Sequence, residues 1–442
     1  MDKTQKNEPI NFFQIHTKFL FTLNWRCYMV YDSVTAAALA GLVISDKTKP
    51  GITREYVDLS EKSEEKTFRW DYFLPDGEKI TDENRIEFLN KLAVPPAWTE
   101  VWFSPQDNGH VQAIGKDARG RSQYRYHPDW TKIKSDLKFA GVDEFALSLS
   151  PLRERVKDDM QLKGMPLEKA TAIVIRMMDL FHIRVGSDEY AKQNESYGLT
   201  TIKEGHVKFP RDGRNNAVFE FTGKSGKLWK LMIEDDELVQ LLKDSAKIGG
   251  RDKDQDLFMF TNEQGNAVDI KAEHINQYID DNTEEGEKFT AKNFRTWAAS
   301  WKTGSRLAVV SNVSKKDLQS LPKLFAEAEI ASQDLGVPYP IEWKNLTLRG
   351  TENLVKLAEK NQLPGENEKQ RQSTLLAVID TVAADLGNTR SVCRSSYIRP
   401  MFIDDWESGV FEKRWKKAST LPLIPELNRD ESTAVHYMRT HE

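Results

Sequence analysis

The chain has 442 residues, 39% of them hydrophobic and 30% charged, an ordinary balance for a soluble globular protein of two or three domains. Lys plus Arg number 63 against 68 Asp plus Glu, so the net charge of −5 does not advertise a nucleic-acid partner, although a local patch can hide within it. Two cysteines, Cys27 and Cys393, cannot build a disulfide framework and fit a reducing cytosol.

Residues 11–34, "NFFQIHTKFLFTLNWRCYMVYDSV", look apolar, but Lys18 and Arg26 interrupt them. No uninterrupted run reaches the roughly 18 residues that span a bilayer. Residues 1–45 therefore read as an unassigned extension of a cytoplasmic protein, in which Met29 could also serve as a start. From about residue 46 to 135 the pattern is short and β-like. "KTFRWDYFLPDGEKI" alternates around a Pro-Asp-Gly turn, and "VWFSPQDNGHVQAIGKD" repeats the device around Asp107-Asn108-Gly109. This predicts a small antiparallel β domain.

Helical periodicity takes over near Trp130 and predicts a larger, mainly helical domain over 136–442, making the chain α+β overall. "PLEKATAIVIRMMDLFHIRVG" has Pro166 at its first turn and is expected to stop at Gly186, with Ser187 capping the next helix. "AVFEFTGKSGKLWKLMIED" is two alternating runs around Lys224-Ser225-Gly226, a second-domain hairpin. "TAKNFRTWAASWK" reads as a helix capped by Thr290, residues 304–372 as a polar, proline-interrupted insertion, and "STLLAVIDTVAADLG" as a helix ending at Gly387.

Several residues stand out by position. Residues 111–135 carry six Lys or Arg against two Asp, a local +4, and within them "KDARGRSQYRYH" interleaves arginines with Tyr124 and Tyr126. That mixture suits phosphate contacts with stacking, and equally a solvated surface. Arg184 follows the apolar helix directly, where a half-buried guanidinium needs a partner. Lys224 sits at a hairpin tip, Arg295 between Phe294 and Trp297, and Asn388 just past a helix end. An ion pair, an exposed turn or a cap would explain each alone. Tyr397 in "GNTRSVCRSSYIRP" has Arg390, Arg394 and Arg399 beside it and almost no apolar company. The eight histidines lack metal-binding spacing, no GxxxxGK[ST] loop is present, and no GxSxG elbow appears.

Five blocks in this order resemble one family: type IB DNA topoisomerases of the poxvirus and bacterial kind. They are "PPAWTEVWFSPQDNGHVQAIGKDARGRSQYRYHPDW", "IRVGSDEYAKQNESYGLTTI", "FTGKSGK", "FTAKNFRTWAAS" and "LGNTRSVCRSSYIRP". The resemblance runs from about residue 45 to 405, apart from 304–372. It implies a two-lobed clamp on double-stranded DNA, with residues 46–135 as the DNA-binding amino-terminal domain and 136–442 as the catalytic domain. It implies Tyr397 as nucleophile, with Arg184, Lys224, Arg295 and Asn388 as the other catalytic residues. Asparagine nine residues before the tyrosine marks the bacterial type, where poxvirus members carry histidine. Gln123, Tyr124, Tyr126 and Tyr190 match DNA-contacting positions, and Arg121 and Lys292 join them as candidate contacts. Asn293 departs from the usual "KDFRTW", which bears on how Arg295 is anchored.

What the resemblance implies further is relaxation of supercoiled duplex DNA through a 3′-phosphotyrosyl intermediate, without metal, nucleotide or other cofactor, by a monomer working at a bacterial nucleoid. The nearest rival is a tyrosine recombinase or integrase, but those usually carry HxxR where "KNFR" stands here. A catalytically silent DNA-binding clamp is a third reading, opposed by five competent catalytic positions.

Overall fold

The computed structural model describes residues 33–59, 68–210, 215–250, 252–283, 288–312 and 352–440. These form two compact units that divide between Ala140 and Gly141. The extension read over residues 1–45 is described only from Ser33 onward.

The first unit opens with helix α1 (Ser33–Leu39) and a two-stranded antiparallel ribbon, β1 (Thr53–Asp58) with β2 (Phe68–Phe73). Helix α2 (Glu83–Lys91) leads to an antiparallel sheet of β3 (Thr99–Phe103), β4 (Val111–Lys116) and β5 (Ser122–Tyr126), and helix α3 (Pro128–Ala140) follows. Alternation in these strands turns Phe103 and Ala113 inward, where Ile52, Tyr72, Leu89 and Val94 complete one core. Ala36, Ala37 and Leu42 pack on Trp130 as a smaller second core. The Pro-Asp-Gly turn is present, with the Gly77 N–H donating to the Leu74 carbonyl at 2.9 Å. The hairpin expected there forms but is short: Lys79 bridges Phe73, the Leu74 N–H donates to the Glu78 carbonyl and the Ile80 N–H to the Tyr72 carbonyl, both at 2.8 Å, while β2 pairs along its length with β1. Asp82 ends the return by capping α2, its carboxylate accepting the Asn84 N–H at 3.0 Å.

The second unit begins with α4 (Val142–Met160), α5 (Leu167–Phe181) and α6 (Asp188–Asn194). A three-stranded antiparallel sheet follows, β6 (Val207–Lys208), β7 (Ala217–Gly223) and β8 (Lys227–Ile233), then α7 (Asp236–Ser245). The hairpin β9 (Met259–Thr261) and β10 (Ala267–Asp269) precedes α8 (Ala272–Asp281) and α9 (Ala291–Asn312). After residue 351 come α10 (Glu352–Glu359), α11 (Glu368–Asp385), α12 (Arg390–Ser396), α13 (Pro400–Glu407), α14 (Phe411–Ala418) and α15 (Arg429–Arg439). No helix among the described residues is long and apolar enough to cross a membrane.

Helix α9 is the axis of this unit and packs against α4, α11, α13, α14 and α15. Every residue from Phe294 to Leu307 is buried, so its polar side chains need internal partners. Lys302 and Arg306 share the Asp385 carboxylate, Lys302 at 3.3 Å, and Arg306 also donates to Thr381 at 3.0 Å. The Trp297 indole N–H donates to Glu431 at 3.1 Å, and Glu431 and Asp179 together grip Arg153. Residues 304–312, read from sequence as the start of an insertion, are thus the second half of a core helix. Gly304 has no room for a side chain, because a Cβ there would stand 2.4 Å from the Trp415 ring. Residues 352–372 likewise contain α10, with Leu354 buried, and the first turn of α11. The remainder of the expected insertion, 313–351, lies outside the described residues.

Candidate active site

Helix α5 stops at Phe181 rather than at Gly186. His182 takes a left-handed conformation (φ 54°) and its N–H closes the last turn on the Met178 carbonyl at 2.9 Å. The apolar run continues past this cap through buried Ile183, which is why the sequence suggests a longer helix. The next residue, Arg184, lies beyond the helix, and its carbonyl accepts the Leu199 N–H at 2.8 Å. Ser187 occupies the cap position of α6 without a side-chain bond, and α6 carries the half-exposed Tyr190.

Arg295 comes from the first turns of α9. Asn293 caps that helix by accepting the Thr290 N–H and hydroxyl at 3.0 and 3.1 Å. Asn293 therefore secures the helix start, while Arg295 itself is held by two backbone carbonyls, those of His182 and Leu386, the latter at 2.7 Å. Lys292, one turn earlier, is exposed.

Asn388 follows α11, whose end closes as a Schellman turn. Gly387 (φ 61°) donates to the Ala384 carbonyl at 3.0 Å and the Asn388 N–H donates to Ala383 at 2.8 Å. The cap is thus made by backbone, which releases the Asn388 side chain. Its Oδ1 accepts Arg184 Nη2 at 2.6 Å and, more loosely, Arg295 Nη2 at 3.4 Å. That leaves Asn388 Nδ2 and Arg295 Nε buried and without a protein partner. Among the described residues neither Arg184 nor Arg295 meets a carboxylate.

Tyr397 ends α12, half-buried, with its ring 5.2 Å from the Arg295 guanidinium. Burial pushes its phenol up, but charge and hydrogen bonding from Arg295 and then Arg184 outweigh burial, and the net shift is downward. Burial and the nearby Arg184 push Arg295 down to about 10, so it stays charged at neutral pH. The three other arginines beside Tyr397 have a different task. Arg390 grips Asp380 through two bonds of 2.5 and 2.6 Å, Arg394 meets Glu407 at 3.1 Å, and Arg399 meets Asp143 at 3.4 Å. Ser300 on α9 completes the mount, donating to the Tyr397 carbonyl at 3.3 Å and accepting the Arg399 N–H at 3.0 Å. Sequence reasoning did not single out Ser300, and nothing local to it could have.

Arg184, Arg295, Asn388 and Tyr397 therefore converge on one half-buried, cationic site. Lys224 stands apart from their contacts, exposed on the turn of the β7–β8 hairpin, where Ser225 is left-handed (φ 65°). Two residues of that hairpin do touch the site. Lys227 Nζ donates to the Asn388 carbonyl at 3.0 Å, and the Trp229 ring lies against Gly387.

The remaining candidates lie in the first unit, on β5 and, for Arg121, at the residue just before it. Tyr124 and Tyr126 stack in parallel at 5.8 Å and are 38% and 47% exposed. Gln123 and Arg121 both bond Asp117, at 3.0 and 2.7 Å, and the Arg121 bonds lead in pulling that carboxyl down to about 2. Arg125, from the same basic stretch, turns inward to the Ala93 carbonyl at 2.9 Å and over Trp98.

Residues 128–401 match the family described as eukaryotic DNA topoisomerase I, catalytic core, and residues 69–117 match the bacterial DNA topoisomerase IB, N-terminal domain. A DNA topoisomerase 1B of Acanthamoeba polyphaga mimivirus is 32% identical over 230 residues, 52% of this chain and 66% of that protein. The DNA topoisomerase 1B of Vaccinia virus and the DNA topoisomerase I of Monkeypox virus are each 26% identical over 187 residues, 37% of this chain and 59% of theirs. The matched part thus spans just under two thirds of these relatives or less. With more than half its length inside the catalytic-core match and a bacterial-type amino-terminal match before it, the chain belongs to the type IB DNA topoisomerase family.

Proposed function

We propose that the chain relaxes supercoiled double-stranded DNA by cutting and resealing one strand through Tyr397. The observation that carries this reading is the pair of guanidinium groups, Arg184 and Arg295, held beside Tyr397 with no carboxylate among the described residues to neutralise them. Two like charges so close call for an anion, and a phosphodiester fits the fork geometry of guanidinium.

In the reaction, the Tyr397 oxygen bonds to phosphorus as the bond from phosphorus to the 5′ oxygen breaks. The phenolic proton passes to solvent, and Lys224 donates a proton to the departing 5′ oxygen. Arg184, Arg295 and the Asn388 amide donate to the nonbridging oxygens, where charge builds in the transition state. Free tyrosine ionises near a pKa of about 10, and the same two arginines that bind phosphate favour its phenolate. The duplex then rotates about the intact strand, and the 5′ hydroxyl displaces Tyr397. The 3′-phosphotyrosyl bond conserves the energy of the broken linkage, so no step requires ATP or a metal ion. The exposed Tyr124–Tyr126 stack with Gln123 and Arg121, and in the second unit Tyr190 and Lys292, are the proposed duplex contacts.

Supercoiled plasmid incubated with the protein in EDTA, without ATP, is expected to run as relaxed topoisomers. Relaxation that appears only on adding ATP or a divalent cation would overturn this reading, and products joining two duplexes would favour the recombinase alternative.

A further inference from the structure

The contacts between the β7–β8 hairpin and the end of α11 have no part in the reaction as described, yet they link the Lys224 turn directly to Asn388. Gly223 and Lys227 are the closing pair of the hairpin, directly opposite one another across the turn that carries Lys224. The Lys227 ammonium donates to the Asn388 carbonyl at 3.0 Å. Trp229, two residues on, lies under both ends of the contact. A Cβ on Gly223 would stand 2.6 Å from its indole nitrogen, and one on Gly387 would stand 2.9 Å from its ring. Both glycines thus let Trp229 in, and Phe221 stacks with it, the rings parallel at 6.0 Å.

We propose that Lys227 and Trp229 are positioning residues that dock the Lys224 hairpin on the Gly387–Asn388 turn, so that the general acid approaches the phosphate site from a fixed point. This rests on the reading of Lys224 as the acid. Lys224 is one residue from the anchored Gly223, so a shift of the closing pair moves the ammonium directly. Misplacement of a reacting group by about 1 Å costs on the order of 100-fold. Lys227 itself is an exposed residue whose side chain makes a single part-buried hydrogen bond, so its loss should leave the fold intact.

The test is single-turnover cleavage of an oligonucleotide duplex with either an ordinary phosphodiester or a 5′-bridging sulfur at the cut site. A thiolate leaves without a proton, so the sulfur substrate bypasses any defect in acid delivery. Lys227→Met is expected to cleave the oxygen substrate about 10- to 100-fold more slowly and the sulfur substrate at close to the wild-type rate. Lys227→Arg, which keeps a cationic donor, should recover most of the loss. Trp229→Ala should show the same sulfur-dependent rescue, and Lys224→Ala/Lys227→Met should be no slower than Lys224→Ala alone. Wild-type cleavage by Lys227→Met, or an equal loss on both substrates, would overturn the proposal. Lys224→Ala without sulfur rescue would instead sink the assignment of the acid, a separate outcome from failure of the docking residues.

Discussion

Tyr397→Phe is expected to abolish plasmid relaxation while duplex binding persists. The substitution removes only the hydroxyl. The ring that faces Arg295 at 5.2 Å remains, as do the Ser300 bonds to the Tyr397 and Arg399 backbone and the three arginine–carboxylate pairs around α12. The hydroxyl's hydrogen bonds with Arg295 and Arg184 are lost, but the Arg184–Asn388 bond at 2.6 Å and the Arg295 bonds to the His182 and Leu386 carbonyls do not involve the tyrosine, so both guanidinium groups should stay in place. Plasmid relaxation and a filter- or gel-based binding titration on the same preparation separate the two effects. Persistent relaxation by Tyr397→Phe would mean that another residue is the nucleophile. A parallel collapse of binding would mean that the hydroxyl holds the site together.

Arg184→Ala and Arg295→Ala are each expected to slow strand cleavage by about 100-fold or more, the usual cost of one lost transition-state donor. The two should differ in stability. Arg295 satisfies the buried carbonyls of His182 and Leu386, and leaving these unpaired costs about 1–3 kcal/mol each. Arg184 is half-buried and bonds the Asn388 side chain, so Arg184→Ala should melt close to wild type. Both substitutions should also move the ionisation of Tyr397 to higher pH. Its phenol is lowered in the fold only because two cations outweigh burial, so losing one lets burial push it back up. Tyrosinate absorbance against pH, with Tyr397→Phe subtracted, measures this. A downward or absent shift would contradict the electrostatic account, and so would equal melting of the two arginine variants.

How legible the site was in the sequence depended on how local each cause is. The β7–β8 hairpin follows from two alternating runs around Lys224-Ser225-Gly226, and the end of α11 follows from Gly387. Both are decided within a few residues, and the structure has both. The α9 boundary was misjudged because Lys302, Thr303, Ser305 and Arg306 look like surface. Their burial is made tolerable by Asp385 and Thr381 in another helix, with Asp430 bonded to Ser305 from a third. No window of sequence contains those partners. The same holds for the arginines around Tyr397. Nothing local separates Arg390, Arg394 and Arg399, which are tied to carboxylates, from Arg184 and Arg295, which are tied to carbonyl oxygens. That difference distinguishes scaffold from the proposed phosphate site, and only tertiary structure displays it. The Pro-Asp-Gly turn gives the converse lesson. Its short hairpin is legible locally, but nothing near the turn shows that β1 pairs along the whole of β2.

The central claim is that Tyr397 forms a covalent bond with one DNA strand. The most direct measurement uses a duplex whose downstream fragment dissociates after cleavage, which traps any adduct, followed by protease digestion and mass spectrometry of the linked peptide. The expected product joins the 3′ phosphate of the cut strand to Tyr397, leaves a free 5′ hydroxyl on the released fragment, and forms equally well in EDTA. An adduct on any other residue, linkage through a 5′ phosphate, or cleavage with no protein attached would contradict it.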